Sequence, residues 1–322
     1  MYDRISYMER FEKKKSSYKM KGKELVIMNI NFCSEEIMNN LKKVNKLVIC
    51  NDPDFPLHLI PSNVTCVVFN RNYYDIPGRI PSFVRYIVIE PTMDNCIFRS
   101  LPDGLKRLEL RKLFNGRVSS MDDDKGGNII PDGVEDLILS GLFNDSVDYL
   151  PKNVKRLELG DKFNRAIDNL PERLEKLVLG EDFNKECNNL PANLRKLFFG
   201  FAFNKSIDFL PPNLEELYLG YCFNQFLGNL PRSLKILILG KNYNQDLECL
   251  PDGLEVLGVN YEYVSGRFLQ SGNDFDRRIT TLPKSLKYLM ISNKYKYMKE
   301  LEEILDNVNL ITKLEVELGK YK

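Results

Sequence analysis

The sequence lacks several residue types on which common catalytic and binding functions depend. Its 322 residues include no tryptophan and one histidine, His58. This histidine has no serine or cysteine partner in a recognisable catalytic motif. The sequence also contains no glycine-rich phosphate loop, nucleophile elbow or zinc-ligand spacing. We therefore predict a protein that is not an enzyme and needs no cofactor or metal.

An excess of one charge and a long hydrophobic run are also missing. Lysine and arginine total 46 and aspartate and glutamate total 45, so the formal net charge is +1. This balance gives no reason to expect nucleic acid or an acidic substrate. No apolar run reaches the length of a membrane span, and the first residues lack the apolar stretch of a secretory signal. We expect no membrane partner and a cytoplasmic location.

The cysteines do not form a pattern typical of disulfides or zinc sites. There are seven, an odd number, and they stand at different positions of the repeat described below. Without short paired spacings they favour a reducing compartment. Cys187 alone falls in a column predicted to lie in the core, where isoleucine usually stands.

The sequence is instead rich in a regular repeat of leucine and proline. Six prolines from Pro151 to Pro251 stand twenty residues apart. Each window repeats Leu-Pro-x-x-Leu-x-x-Leu-x-Leu-Gly-x-x-Phe-Asn-x-x-Ile-x-x. A fixed period of this length predicts a solenoid, in which each coil stacks on its neighbours. The alternation in segments such as Leu157-Glu158-Leu159 predicts strands with one buried face. We expect a parallel sheet on one face and short turns or irregular segments on the other.

The array spans residues 60–292 and has eleven units, each beginning with a Leu-Pro or Ile-Pro pair. Insertions near 116–127 and 260–274 interrupt it at different points of the repeat. The glycines that end each strand segment, such as Gly200, indicate a sharp backbone turn. Two positions after proline, at residues such as Asn193 and Gly253, we expect a turn with positive φ.

The two ends of the chain differ from the array. Residues 1–22 are charged and aperiodic, which predicts a mobile tail. Residues 23–59 read as a strand, a short helix and a second strand, and predict an N-terminal α/β cap. Residues 293–322 predict a C-terminal cap, with a helix over 298–305 and a strand over 313–318.

An asparagine recurs at one position of the repeat. It could present a row of ligand groups, or it could form an internal ladder whose amides satisfy backbone groups of the turns. We favour the ladder because coils without regular hydrogen bonds on one side need such partners. The column contains Asn115, Asn144, Asn164, Asn184, Asn204, Asn224 and Asn244.

The motif Leu-Gly-x-x-Phe-Asn-x-x-Ile-x-x-Leu-Pro resembles the signature of FNIP repeats. The segments Phe163 to Pro171 and Phe203 to Pro211 carry it closely. The family is similar to leucine-rich repeats and occurs in social amoebae and their giant viruses. The resemblance implies a leucine-rich-repeat-like protein-binding scaffold, in the host cytoplasm if the gene is viral. Some members carry an N-terminal F-box and select substrates for a ubiquitin ligase, but the first fifty residues here show no clear F-box.

The outward positions of the predicted sheet suggest where a partner binds. In one column Phe198 stands next to Tyr218, which β-propensity explains poorly. Cover by a neighbouring loop, or stacking along the sheet, is the alternative. The predicted partner-binding patch contains Phe198, Phe201, Tyr218, Tyr221 and Ile238, with Lys176, Lys196 and Glu216 at its rim.

We therefore predict a non-enzymatic protein-binding scaffold that acts as an adaptor or recognition module. The alternative is a substrate-recognition adaptor of a ubiquitin ligase. An enzyme with its site in the 260–274 insertion is disfavoured, because the insertion lacks the clustered polar groups that such a site needs.

Overall fold

The structure is a computed structural model that contains two compact units, Met1–Phe143 and Asn144–Lys322. It describes residues 17–29, 35–50, 56–70, 80–90, 101–111, 113–114, 118, 129–264, 267–270, 274–305, 307–312 and 315–316.

The first unit is built on parallel strands that follow one another along the chain. From β2 onward each strand pairs in parallel with the next, and β1 pairs antiparallel with β2. The elements are β1 (Ser17–Lys21), β2 (Glu24–Asn29), helix α1 (Glu35–Leu41), β3 (Lys46–Cys50), β4 (Cys66–Asn70), β5 (Tyr86–Glu90), β6 (Arg107–Leu110) and β7 (Asp136–Leu139).

The start of the described chain differs from the predicted mobile tail. Residues 17–21 form an edge strand, joined to β2 by the two-residue turn Gly22-Lys23. Gly22 adopts φ +58°, a left-handed conformation that suits the first position of a tight hairpin. The expectation was wrong for these residues because a polar strand edged with lysines has no hydrophobic signal. Residues 1–16 lie outside the described residues. The predicted strand, helix and strand that follow are present as β2, α1 and β3.

The second unit repeats the same arrangement. Strands β8 to β13, β16 and β17 pair in parallel, in that order. Strands β14, β15 and β18 form a separate antiparallel sheet. The elements are β8 (Arg156–Leu159), β9 (Lys176–Val178), β10 (Lys196–Phe198), β11 (Glu216–Leu219), β12 (Ile236–Leu239), β13 (Val256–Val259), β14 (Tyr261–Val264), β15 (Arg267–Gln270), β16 (Tyr288–Met290), helix α2 (Met298–Ile304), β17 (Asn309–Ile311) and β18 (Glu315–Val316).

The C-terminal elements partly match their prediction. Helix α2 lies where the sequence placed it, and β18 falls within the predicted strand over 313–318. The sequence missed β17, which extends the main sheet beside β16. The insertion near 116–127 falls outside the described residues, apart from buried Val118.

The predicted fold class is confirmed, since the chain is a parallel-sheet solenoid. Leu157, Leu177 and Leu197 are buried and face one another on adjacent strands. On the opposite wall of the core, the rings of Phe163, Phe183, Phe203 and Phe223 stack with centroids 6.1 Å apart. Cys187 is buried in the column where isoleucine usually stands. Each coil therefore adds its apolar side chains to a core shared with its neighbours.

Close backbone contact between coils explains the glycine column. A Cβ added at Gly200 would stand 2.3 Å from the carbonyl oxygen of Gly180, and one at Gly220 would stand 1.8 Å from that of Gly200. Neither glycine has positive φ. The column is therefore glycine because any side chain would separate the coils, not because the turn needs an unusual conformation.

The expected positive φ two positions after proline is wrong. Asn193 and Gly253 are not among the residues with positive φ. The turn is closed by a bond from the leucine N–H to the proline carbonyl, as between Leu194 and Pro191 at 3.0 Å. Turns of this type form with negative φ throughout. The asparagine has another role, since Asn193 Nδ2 donates to the Glu172 carbonyl of the preceding coil at 2.8 Å.

The residue that directly precedes each strand of the second unit alternates between positive and negative charge from one coil to the next. In the second unit Arg195 Nη1 lies 2.6 Å from Glu215 Oε1, and Lys235 Nζ lies 3.6 Å from Glu215 Oε2. Each pair of neighbours carries opposite charges, so the column favours this stacking register. Its members are Lys155, Glu175, Arg195, Glu215, Lys235, Glu255 and Lys287.

Two glycine substitutions should have opposite effects on stability. Gly220→Ala places a methyl group against the Gly200 carbonyl, and we expect it to lower the free energy of unfolding by about 3 kcal/mol. Gly253→Ser should raise it by about 1 kcal/mol, since serine restricts the unfolded chain and gains hydrogen bonds. Ser233, at the same position of the preceding coil, shares its single hydroxyl hydrogen between the carbonyl oxygens of Pro212 and Leu214, each 2.7 Å from Oγ.

Urea unfolding of both variants beside the wild type measures the two changes. Equal losses in the two variants would contradict the assignment of close backbone approach to the glycine column that contains Gly220.

Candidate functional site

The asparagine column forms a ladder inside the second unit. The N–H of Asn164 donates to Oδ1 of Asn144 at 2.9 Å, and the bond repeats in every later coil at 2.9–3.1 Å. Asp276 continues it by donating its N–H to Asn244 Oδ1 at 3.1 Å. The acceptor atoms are therefore engaged within the chain, which supports a structural role. The ladder residues are Asn144, Asn164, Asn184, Asn204, Asn224 and Asn244; Asn115 lies outside the described residues.

Two glutamines strengthen this ladder, and the sequence reading missed them. Gln225 Nε2 donates to Asn204 Oδ1 at 3.0 Å, and Gln245 Nε2 donates to Asn224 Oδ1 at 3.1 Å. Each glutamine directly follows a ladder asparagine, and this repeated Asn-Gln pair is the signal that could have revealed them.

The structure brings together the aromatic column of the predicted patch but covers it. Phe198 and Tyr218 stack on the outward face of the sheet, with ring centroids 4.1 Å apart and an interplanar angle of 5°. Their exposed fractions are only 8% and 4%, and Ile238 is also buried. The expectation that these three side chains are exposed is wrong. Tyr261, the first residue of β14, is fully buried in the same cluster.

The three predicted rim residues lie against this covered stack. Lys176 Nζ lies 5.1 Å from the centroid of the Phe198 ring, within the range of a cation–π contact. Lys196 pairs with Glu216 at 2.7 Å, and Tyr218 donates its hydroxyl hydrogen to Glu216 Oε2 at 2.9 Å. These charges therefore hold the aromatic side chains in one arrangement.

The remaining two residues of the predicted patch form a second, more open stack. The rings of Phe201 and Tyr221 have centroids 4.5 Å apart and an interplanar angle of 22°. Phe201 is 46% exposed, and Tyr221 is half-buried. Lys241 Nζ lies 5.1 Å from the centroid of the Tyr221 ring. Stacked aromatic rings at a surface are typical of interface anchors.

Other exposed aromatic side chains were not singled out from the sequence. Phe209 is 66% exposed and Phe226 is 61% exposed. Phe209 occupies a column that holds asparagine in three other coils, at Asn169, Asn189 and Asn229. This departure from the column is the signal that could have found it.

A buried carboxylate is the main polar feature of the outward sheet face in the first unit. Glu109 Oε1 accepts hydrogen bonds from the Tyr86 hydroxyl and from Arg107 Nε, the latter at 2.8 Å. Arg107 Nη2 lies 2.6 Å from the same oxygen, and Arg111 pairs with Oε2. The Glu109 side chain is fully buried beneath these groups. Strand alternation in β6 places Glu109 on the outward face, but the sequence alone does not predict this network.

The network shifts the pKa values of its members. Burial alone favours the neutral acid, but hydrogen bonds from Tyr86 and Arg107 and the nearby arginine charges hold the pKa of Glu109 below its ordinary value. Burial and the bond to Glu109 raise the pKa of Tyr86 to about 12. Glu109 is therefore charged at neutral pH and Tyr86 is neutral.

Within the described residues, no group of three or more histidine, cysteine, aspartate or glutamate side chains is arranged to hold a metal ion. None of the helices in this part of the chain is both long enough and apolar enough to cross a membrane.

Removal of one ladder acceptor should destabilise the second unit. Asn204→Ala leaves the N–H of Asn224 without its acceptor, and we expect a loss of about 2 kcal/mol in the free energy of unfolding. Asn204→Asp keeps the acceptor oxygen and should cost less than about 1 kcal/mol. Exposed Asn188, in the preceding coil, supplies the control Asn188→Ala, with a change below about 0.5 kcal/mol.

Denaturant unfolding and hydrogen exchange at the Asn224 amide test the ladder. Exchange that stays as slow in Asn204→Ala as in Asn204→Asp would rule out the ladder bond as its source of protection.

The Glu109 network should make the free energy of unfolding depend on pH in the acidic range. Its folded pKa lies below the ordinary glutamate value of about 4.3. Glu109 thus stabilises the folded chain above that pH, and the contribution is lost as pH falls through the folded pKa. Glu109→Gln should cost about 2 kcal/mol at pH 7, and the difference from wild type should shrink below about pH 4.

Unfolding measured from pH 3 to pH 7 provides the test. In the same variant the pKa of Tyr86 should fall, since it loses the hydrogen bond to a carboxylate; ultraviolet titration of tyrosine detects this change. A difference in stability that stays constant with pH would contradict this role of Glu109.

Comparison with known proteins places the repeats in a family. The FNIP repeat family profile matches residues 163–202, 183–222 and 223–261. No curated protein sequence matches the chain. The Leu-Pro and Ile-Pro pairs extend further, over residues 60–292, and strands of both units follow them.

A solved structure shows the same architecture. CroV588, from the giant virus CroV, is described as a novel circular leucine-rich-repeat protein structure and is 28% identical to this chain, with a TM-score of 0.66. The match covers 86% of this chain and 45% of CroV588, so the chain spans about half the length of that protein. YopM from Yersinia enterocolitica WA-314 is 19% identical, with a TM-score of 0.47, over 78% of this chain and 56% of YopM. Residues 163–261 thus match the FNIP repeat family, and the chain winds into a leucine-rich-repeat-like solenoid.

Proposed function

We propose that the chain is a non-enzymatic protein-binding scaffold, an adaptor or recognition module whose partner docks on the Phe201–Tyr221 stack. The observation that carries the proposal is this pair of stacked rings, of which Phe201 is 46% exposed. Leucine-rich-repeat-like solenoids commonly bind proteins through surfaces of this kind. The originally predicted patch is thereby reduced to its open members.

The backbone around the stack is fixed before any partner arrives. The N–H of Cys222 donates to the Phe201 carbonyl at 2.9 Å, and the N–H of Asn242 donates to the Tyr221 carbonyl at 2.9 Å. These bonds join three successive coils directly beneath the rings. A rigid aromatic pair loses little conformational entropy on binding, which favours affinity.

The charges along the same column suggest the chemistry of the partner. Exposed Asp161 and Glu181 occupy the two coils before the stack, and Lys241 occupies the coil after it. A complementary segment would place an apolar side chain on the rings, a basic group toward Glu181 and an acidic group toward Lys241. The half-buried Lys176, Lys196 and Glu216 support the neighbouring sheet face and would contribute less.

Site-specific photocrosslinking tests this surface. We expect p-benzoylphenylalanine at position 201 to capture a partner that the same group at position 209 does not capture. Phe209 is the control because it is also an exposed phenylalanine in the same coil. Mass spectrometry of the crosslinked species identifies the partner, and ligase scaffold subunits among the products would favour the alternative of a ubiquitin-ligase adaptor.

With the captured partner purified, the variant Phe201→Ser/Tyr221→Ser should weaken its affinity at least tenfold, about 1.4 kcal/mol. Its melting temperature should stay close to that of the wild type, because both rings lie outside the core. The matched control Phe209→Ser/Phe226→Ser should bind normally. Equal affinity of the two double variants would end the proposal.

A further inference from the structure

Side-chain hydrogen bonds of Asn260 connect the two ends of the second insertion to the coil from which the insertion departs. Asn260 occupies the column where earlier coils have glycine, is buried, and adopts φ +59°. Its Nδ2 donates to the carbonyls of Gly240 at 3.3 Å and Lys241 at 2.7 Å. Its Oδ1 accepts the N–H of Phe275 at 3.0 Å. One side chain therefore joins the point where the chain leaves the coil to the point where it returns.

The core and the ladder continue directly across this junction. The Phe275 ring stacks on Tyr243, with centroids 6.4 Å apart, and Asp276 continues the asparagine ladder. Pro251 and Pro283 are 32 residues apart, twelve more than the usual spacing. Removal of residues 261–272 leaves Asn260-Asn273-Asp274-Phe275, which restores the Gly-x-x-Phe spacing of the regular coil.

The first strand of the second insertion, β14, lies on the outward face of the parallel sheet. Strand β14 lies against β11 and β12. Its first residue, Tyr261, is fully buried among side chains that point away from the solenoid core. In β8 the outward position equivalent to Phe198 and Tyr218 holds exposed Glu158. The buried cluster contains Phe198, Tyr218, Ile236, Ile238, Val256, Tyr261, Met290 and Ile311.

The cover is completed by a separate segment of the chain. Strand β15 pairs with β14 on one side and with β18 on the other, through Phe268 opposite Val316 and Leu269 opposite Glu315. The antiparallel sheet thus has its own hydrogen bonds and is distinct from the parallel sheet beneath it.

From these observations we propose that the 261–270 hairpin is an intrachain cover of an apolar interaction face. The hairpin occupies the face centred on Phe198, Tyr218 and Ile238, and it can be separated from the coil because Asn260 closes the coil on its own. The face fits a β-ribbon that presents an aromatic side chain, and its resident occupant is this segment of the same chain. A protein partner that uses this face must displace the hairpin. The inference is independent of the proposed role of the Phe201–Tyr221 stack.

Excision of residues 261–272, which removes Tyr261 and the rest of the hairpin, tests the cover. The variant should unfold cooperatively, with circular dichroism typical of the parallel sheet retained. Hydroxyl-radical footprinting should show oxidation of Phe198 and Tyr218 at least threefold faster than in the wild type, with the core residue Phe203 unchanged. A folded excision variant with wild-type footprints at Phe198 and Tyr218 overturns the proposal.

Tyr261→Ala in the complete chain keeps the test decisive if the excised chain fails to fold. This variant should also accelerate oxidation of Tyr218, since it removes one aromatic ring from the cover. Tyr149→Ala removes a ring that is 69% exposed and should leave Tyr218 unchanged. Equal oxidation of Tyr218 in the two point variants overturns the assignment of Tyr261 as the covering residue.

Discussion

The structure depends on direct backbone contact between successive coils. At Gly200 and Gly220 the preceding carbonyl oxygen leaves no room for a Cβ atom, so the coils stack as closely as a polypeptide allows. The asparagine ladder fixes the same spacing on the next side of the coil through one bond per unit. The phenylalanine stack and the charge column then follow, because each places equivalent side chains at this imposed distance.

Much of the fold was predictable because the constraints recur within one repeat. Leu157 and its copies specify a strand and a buried row, and the asparagine column can be read directly as an internal ladder. The errors fall where geometry between coils decides. Asn193 was assigned to positive φ although it serves as a donor to the preceding coil. Residues 17–21 were assigned to a tail, since a polar segment has no hydrophobic pattern that would predict its pairing with β2.

The candidate site was predictable only in part, because a distant segment decides which outward residues meet solvent. The period identifies Phe198, Phe201, Tyr218 and Tyr221 as unusual. It contains no information on where the hairpin after Asn260 folds, so the burial of Phe198 and Tyr218 in one cluster with Tyr261 could not be derived from the repeat. The network around Glu109 escaped prediction for a related reason. An outward glutamate is ordinarily solvated, and its burial requires three particular neighbours on the same face.

The alternating charge column constrains how an array of this kind can change in length. In the second unit the signs run positive, negative, positive and so on from Lys155 to Lys287. Loss or duplication of a single coil would bring two groups of the same sign together at the new junction. Loss or duplication of two adjacent coils would preserve the alternation. The array therefore has a natural unit of forty residues, twice its apparent period, and recombination by pairs of coils should be tolerated better than recombination by single ones.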